Sequence, residues 1–194
     1  MKTVAVDLDD TLNDFTQTLE TAEFPYDSAY NVAPEKFDTY LEKVRRGESD
    51  PNELLSTEYS YFVHKIHAEC YRQSQARPGA AEFMQWLREN RWRIVIVTHR
   101  DLRRANDVTR QWLRENGMPF DHLFLTLNKL KFCEAWNVRC LVDDHLISLG
   151  PQNEPDDVEV FYPIMSKHER LPIQRGRGFR NFDELKQWMP NYDC

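Results

Sequence analysis

Two clusters of aspartates, each directly behind a short apolar run, constrain this chain more than any other feature. Thr3-Val4-Ala5-Val6 leads into Asp7-Leu8-Asp9-Asp10-Thr11, and Cys140-Leu141-Val142 leads into Asp143-Asp144. Apolar runs this short are the pattern of strands buried on both faces, so the acidic groups collect at the carboxyl edge of a sheet. Several carboxylates at one buried edge repel one another unless a cation neutralises them, and oxygen donors of this kind suit a hard divalent ion. A single strand ending in Asp also reads as a helix cap; two such strands in one chain are harder to explain that way.

Between the clusters lies a third strand-like run, Trp92-Arg93-Ile94-Val95-Ile96-Val97, which ends in Thr98-His99-Arg100. A further segment carries Lys129 and Lys131. Carboxylates, a hydroxyl, a lysine and more carboxylates, each at a strand end or helix start, are the groups that phosphoryl transfer needs.

In this order the four segments resemble the haloacid dehalogenase (HAD) superfamily of phosphohydrolases: Asp7-x-Asp9-x-Thr11, Thr98, a lysine opening a later helix, and Asp143-Asp144. The resemblance implies an α/β fold, a Rossmannoid parallel sheet of about five strands with helices on both faces and a helical cap inserted after the first strand. The first strand is then expected between the second and the fourth. The resemblance makes Asp7 the nucleophile that forms an aspartyl phosphate and Asp9 the acid and base. It puts Thr98, His99 and Arg100 around the phosphate. Magnesium is the implied cofactor, held by Asp7, Asp9 through its carbonyl, Asp143 and Asp144. Asp10 departs from the glycine or small residue common in the family at that place, and is expected to point away from the phosphate. For the lysine, Lys129 is preferred to Lys131.

The intervening sequence agrees with a cap. From about Asn13 to Arg77 the pattern is helical: Pro34-Glu35-Lys36-Phe37 opens one helix, Asp50-Pro51-Asn52-Glu53 looks like another start, and a longer helix spans about Thr57 to Gln73. This is too long for a loop inside a compact domain. The expected division is residues 1–13 and 78–194 as the core and 14–77 as the cap. Strands and helices alternate from Pro78 onward, to a fifth strand at Val158 to Tyr162, while Pro163 to Arg180 reads as loop.

The net charge of −7, from 25 basic and 32 acidic residues, argues against binding a long nucleic acid, which needs a basic footprint. Met1-Lys2 runs straight into the first strand without a signal sequence, and no apolar run approaches a membrane span, so a cytoplasmic location is expected. Cys70, Cys133, Cys140 and Cys194 lack metal-type spacing and are expected to be reduced thiols. His64 and His67, three apart on a helix, have no third ligand nearby in sequence for zinc.

The insertion position, the Thr98-His99-Arg100 segment and the aromatic residues Phe15, Phe24, Tyr26, Tyr30, Tyr59, Tyr61 and Phe62 make the chain most similar to 5'(3')-deoxyribonucleotidases. The expected partner is a small phosphate monoester, a nucleotide above others. The stretch from Thr98 to Leu113 also resembles the phosphatase domain of polynucleotide kinases, which keeps a polynucleotide 3'-phosphate or another small phosphate ester as alternatives. A phosphate-binding protein without activity is the alternative outside enzymes.

Overall fold

The computed structural model describes residues 2–24, 33–46, 48, 57–100, 102–126, 128–144, 157–165 and 176–191. Six parallel strands form one sheet in the order β3-β2-β1-β4-β5-β6. They are β1 Thr3–Val6, β2 Arg93–Thr98, β3 His122–Leu125, β4 Cys140–Val142, β5 Glu159–Pro163 and β6 Arg177–Phe179. β1 is central, between β2 and β4, as expected. Helices connect β1 to β2, β2 to β3 and β3 to β4, the crossovers that parallel neighbours need.

Strand alternation sorts the core into two layers. Val4 and Val6 of β1, Ile94 and Ile96 of β2, and Cys140 and Val142 of β4 pack with Phe83, Met84 and Leu87 of α5 (Ala80–Glu89) and with Leu185 of α8 (Phe182–Trp188). Ala5, Val95, Val97 and Leu141 face the other way, onto Leu130 and Cys133 of α7 (Lys129–Ala135). Helix α6 (Leu102–Glu115) adds Trp112 and Leu113 to the first layer.

β6 is the correction to the sequence reading, which treated its residues as loop and counted about five strands. Three residues, one of them glycine, are too few to display an alternation. Only pairing with β5 makes them a strand, in the register Phe161↔Arg177, Tyr162↔Gly178 and Pro163↔Phe179. Gly178 is required there: a Cβ would lie 2.8 Å from the Tyr162 ring and 2.9 Å from Ile164.

Between β1 and α5 the described residues form helical segments, apart from an isolated bridge: α1 (Phe15–Thr21), α2 (Pro34–Arg45), α3 (Thr57–Tyr61), a π-helical turn (Phe62–Ile66) and α4 (His67–Gln73). The helix read as continuous from Thr57 to Gln73 therefore carries a π turn in its middle. Leu19, Phe37, Tyr40, Leu41, Tyr61, Phe62, Ile66 and Cys70 form a core of their own. Most of the aromatic residues noted in the sequence are spent here, with Phe15, Phe24 and Tyr59 packed at its margin; Tyr26, Tyr30 and the Asp50 to Glu53 helix start lie outside the described residues.

The chain enters and leaves these helices through one narrow junction. Asn13 bridges Ala76 in antiparallel fashion, Asp14 N–H donates to Gln75 O at 3.1 Å, and Arg77 N–H donates to Leu12 O at 2.8 Å. The Trp112 indole donates to Ser74 O at 2.7 Å, tying the junction to α6. Cys70 and Cys133 are free and buried, but Cys140 is disulfide-bonded, so four reduced thiols was not the right reading. Spacing along a chain does not report which sulfurs meet in space.

Candidate active site

Parallel pairing in equal register is what assembles the site. Val6 pairs with Val142, and the ladder runs one residue further, Asp7 N–H donating to Val142 O at 2.8 Å and Asp143 N–H to Phe161 O at 2.9 Å. Asp7 and Asp143 thus leave their strands side by side. By the two-residue alternation both share the face of Ala5 and Leu141, the face covered by α7.

Lys129 opens α7 on that face. Asn128 caps the helix, its side chain accepting from Lys131 N–H at 2.9 Å, so that Lys129 is buried while Lys131 is exposed. Lys129 Nζ lies 2.9 Å from Asp7 Oδ1 and 2.9 Å from Asp143 Oδ1. Both contacts are ion pairs at hydrogen-bond distance, and beyond Lys129 no group among the described residues donates to Asp7 Oδ1. Burial works against the lysine's charge, yet the two carboxylates outweigh it and hold Lys129 above its ordinary range.

Asp7, Asp143 and Asp144 are all buried, and a carboxylate oxygen from each lies within 4.8 Å of the others. Burial pushes the Asp7 carboxyl up to about 7; Lys129 opposes the rise, while Asp144 and Asp9 add to it. Three carboxylates facing one ammonium are short of positive charge, and an all-oxygen set is the chemistry that a hard divalent cation takes. The residues fit magnesium on that ground. Thr11 joins the two clusters, its Oγ1 accepting from Asp144 N–H at 2.9 Å.

Thr98 ends β2 beside these strands, with its hydroxyl buried and without a partner among the described residues. An unpaired buried hydroxyl costs about 1 to 3 kcal/mol, so one at a strand end is the mark of a group kept for a ligand. His99 reaches solvent, yet partial desolvation of its ring, then the charge of Lys129, holds the imidazole below its ordinary range.

Asp9 turns towards Arg100 instead of the lysine. Arg100 Nε donates to Asp9 Oδ2 at 2.9 Å and Nη2 to Oδ1 at 2.5 Å, and Asn13 Nδ2 adds a third donor to Oδ1 at 3.1 Å. Burial alone would raise the Asp9 carboxyl, but the guanidinium more than offsets it and holds the group below the usual carboxylate range. Asp10 has φ 59°, a region glycine enters freely and Asp tolerates. Its carboxylate accepts from Thr16 N–H at 2.8 Å and from the Thr16 hydroxyl, so it serves the start of α1 and turns from the site, as the sequence suggested.

Asn13, Thr109, His67 and Tyr71 also line this region and were not singled out as site residues in the sequence. Asn13 follows Asp9 by four positions in the motif turn, a local signal that was available; Thr109 and Tyr71 are brought in only by packing of α6 and α4. Burial pushes the His67 imidazole down to about 4, and it sits edge-on to Phe62 with ring centroids 4.3 Å apart.

A doubly covered parallel sheet with paired acidic turns at its carboxyl edge, a buried lysine between them and a helical segment inserted after the first strand is the architecture of one class of hydrolase. A family model described as haloacid dehalogenase-like hydrolase matches residues 1–128, and the chain belongs to that family. Solved structures agree on the fold. A haloacid dehalogenase-like hydrolase from Streptococcus pneumoniae is similar at 15% identity and a TM-score of 0.63, covering 97% of this chain and 98% of that one. A predicted phosphatase from Clostridium acetobutylicum is similar at 15% identity and 0.61, with 98% of each chain covered. D,D-heptose bisphosphate phosphatase from B. bronchiseptica, solved with magnesium and phosphate, is similar at 14% identity and 0.53, covering 98% and 99%. No curated protein matches the chain by sequence.

Proposed function

We propose that the chain is a magnesium-dependent phosphomonoester hydrolase that works through an aspartyl phosphate, with nucleoside monophosphates as its substrates. The observation that carries this reading is a pair of buried groups at the sheet edge: Asp7 Oδ1, which meets only the Lys129 ammonium among the described residues, and the Thr98 hydroxyl, which has no partner among them. One is a nucleophile with an open lone pair, the other a donor for a phosphoryl oxygen.

In the first step an Asp7 oxygen attacks phosphorus while the ester oxygen leaves with the electron pair and takes a proton by way of Asp9, which Arg100 holds ionised at rest and which must first take that proton from solvent. In the second, water attacks phosphorus, gives a proton to Asp9, and Asp7 leaves as a carboxylate with inorganic phosphate released. Lys129 keeps the Asp7 carboxylate aimed and offsets its repulsion from the incoming anion. Asp7, Asp143 and Asp144, with the Asp9 carbonyl, would hold magnesium, which when bound supplies the positive charge that a phosphate dianion needs beside three carboxylates. Helices α1 to α4 act as the cap, residues 14–77, with residues 1–13 and 78–194 as the core.

The nucleotide preference rests on the aromatic character of the helices after β1. Phe15 of α1 stands edge-on to His67 of α4, with ring centroids 5.7 Å apart, and Phe15 is half-buried at the margin of both helices' packing. A base stacked on such a ring gains about 1 to 3 kcal/mol. Steady-state rates on a panel of phosphate monoesters in magnesium test the reading. Higher kcat/KM for nucleoside monophosphates, deoxy forms included, than for sugar phosphates is the expected result. Equal or better rates on sugar phosphates refute the nucleotide preference, and absence of any monoester hydrolysis refutes the phosphatase.

A further inference from the structure

Arg100 stands two residues past Thr98, where a cation would ordinarily be assigned to the phosphate; its guanidinium is committed elsewhere. It is buried, and its fork lies along both oxygens of Asp9, with Nη1 donating to Thr109 Oγ1 at 2.8 Å. One face is covered by the Tyr71 ring, whose centroid is 3.8 Å from Cζ. Thr109 belongs to α6 and Tyr71 to α4, so the guanidinium is held from the sheet side and from the inserted helices at once. Tyr71 in turn packs with Ala105 and Val108 of α6. Few arginines so enclosed retain freedom to swing towards a ligand.

The pairing also distinguishes the two Asp9 oxygens. Among the described residues Oδ1 receives Nη2 and the Asn13 amide, while Oδ2 receives Nε alone. A carboxylate oxygen accepts about two hydrogen bonds, so Oδ2 keeps one lone pair open. The Asp9 side chain is 24% exposed, against 0% for Arg100, so the carboxylate is the member of the pair that reaches the solvent side of the site.

We propose that Arg100 is a positioning residue for Asp9, holding its carboxylate with Oδ2 open to take the proton of the water that hydrolyses the aspartyl phosphate, and that it is not a phosphate ligand. The inference rests on the phosphatase reading above and deepens it. In the step concerned, the water oxygen forms a bond to phosphorus, its proton passes to Asp9 Oδ2, and the bond from phosphorus to the Asp7 oxygen breaks with its electron pair returning to Asp7. Nothing in this step depends on the leaving group of the original ester. A defect confined to it lets the first step proceed and stalls the enzyme as the phosphorylated form.

Para-nitrophenyl phosphate separates the two steps, because its leaving phenolate needs little help from an acid. Rapid-quench and stopped-flow measurements in magnesium are made on the parent chain, Arg100→Ala and Arg100→Lys, with circular dichroism to establish folding. For Arg100→Ala the expected result is a stoichiometric burst of nitrophenolate, a steady-state kcat lower by roughly 100-fold or more, the scale of a displaced general base, and a KM that falls with it. Phosphoenzyme trapped by acid should match the burst. Arg100→Lys retains the charge but not the planar fork, so it should show the same burst with a smaller loss, and it carries the test alone if the alanine variant does not fold. A raised KM with kcat retained overturns the proposal in favour of a phosphate ligand. Loss of kcat with neither burst nor trapped phosphoenzyme overturns it in favour of a scaffold role. A parent chain inert towards the ester in magnesium refutes the phosphatase itself, and this inference with it, before any variant is compared.

Discussion

Replacing Asp7 by Asn should make the metal-free protein more stable at neutral and alkaline pH. Asp7 is 3% exposed, has Lys129 as the one group contacting its Oδ1 among the described residues, and shares a buried corner with Asp143 and Asp144. These surroundings raise its carboxyl from 3.8 to about 7, burial being the largest cause. Because the folded value lies above the unfolded one, the folded chain binds the extra proton between these limits. Stability therefore falls as pH rises through that window. A rise of roughly three pH units, at about 1.4 kcal/mol each, sets an upper bound of about 4 kcal/mol above pH 8. Asparagine resembles the protonated acid in shape and charge but brings an amide that can face Lys129, so about half of the bound is expected, ~2 kcal/mol. For a chain of this size that is about 4 to 8 °C in Tm. Thermal unfolding of both proteins in chelator, from pH 4 to pH 8.5, measures it. The gain should be largest at the alkaline end and vanish near pH 4. It should shrink when magnesium is added, which favours the parent. An Asn variant equal to or less stable than the parent at pH 8.5 would refute the argument that the site is held together against its own charge.

Two further outcomes follow from packing. Lys129→Ala should lose phosphatase activity by orders of magnitude and Lys131→Ala by little, because only the first lysine of α7 faces the strand ends; a steady-state assay of both variants checks this, and a sensitive Lys131 would contradict it. Gly178→Ala should destabilise the fold by about 1 to 3 kcal/mol, since the added methyl meets Tyr162 and Ile164 within 3 Å, and chemical denaturation that shows no loss would mean that β6 moves aside freely.

How far the site was legible follows from what local chemistry can express. Apolar runs ending in Asp or Thr and a Lys at a helix start are each spelled by neighbouring residues, so Asp7, Asp9, Thr98, His99, Arg100, Lys129, Asp143 and Asp144 were all named as candidates from the sequence. For the preference of Lys129 over Lys131, Asn128 as the cap supplies the physical reason, because it decides which residue of the first turn looks inward. Even the odd residue in the motif, Asp10, was legible as one that turns away, though its bond to Thr16 was not.

What the sequence by itself determined was the alternation of buried strands and helices, the helical insertion and the acidic turns, because periodicity and caps are local properties of the chain. The tertiary structure alone decided how those parts meet. Equal register between β1 and β4 puts Asp7 beside Asp143, and pairing turns three residues at 177–179 into a sixth strand. Arg100 is carried 91 positions back to Asp9 and closed in by Thr109 and Tyr71. An arginine looks the same in sequence whether it meets a phosphate or a carboxylate. Its partner is chosen by which side chains the packed helices bring within 3 Å, and that information is distributed over the whole fold.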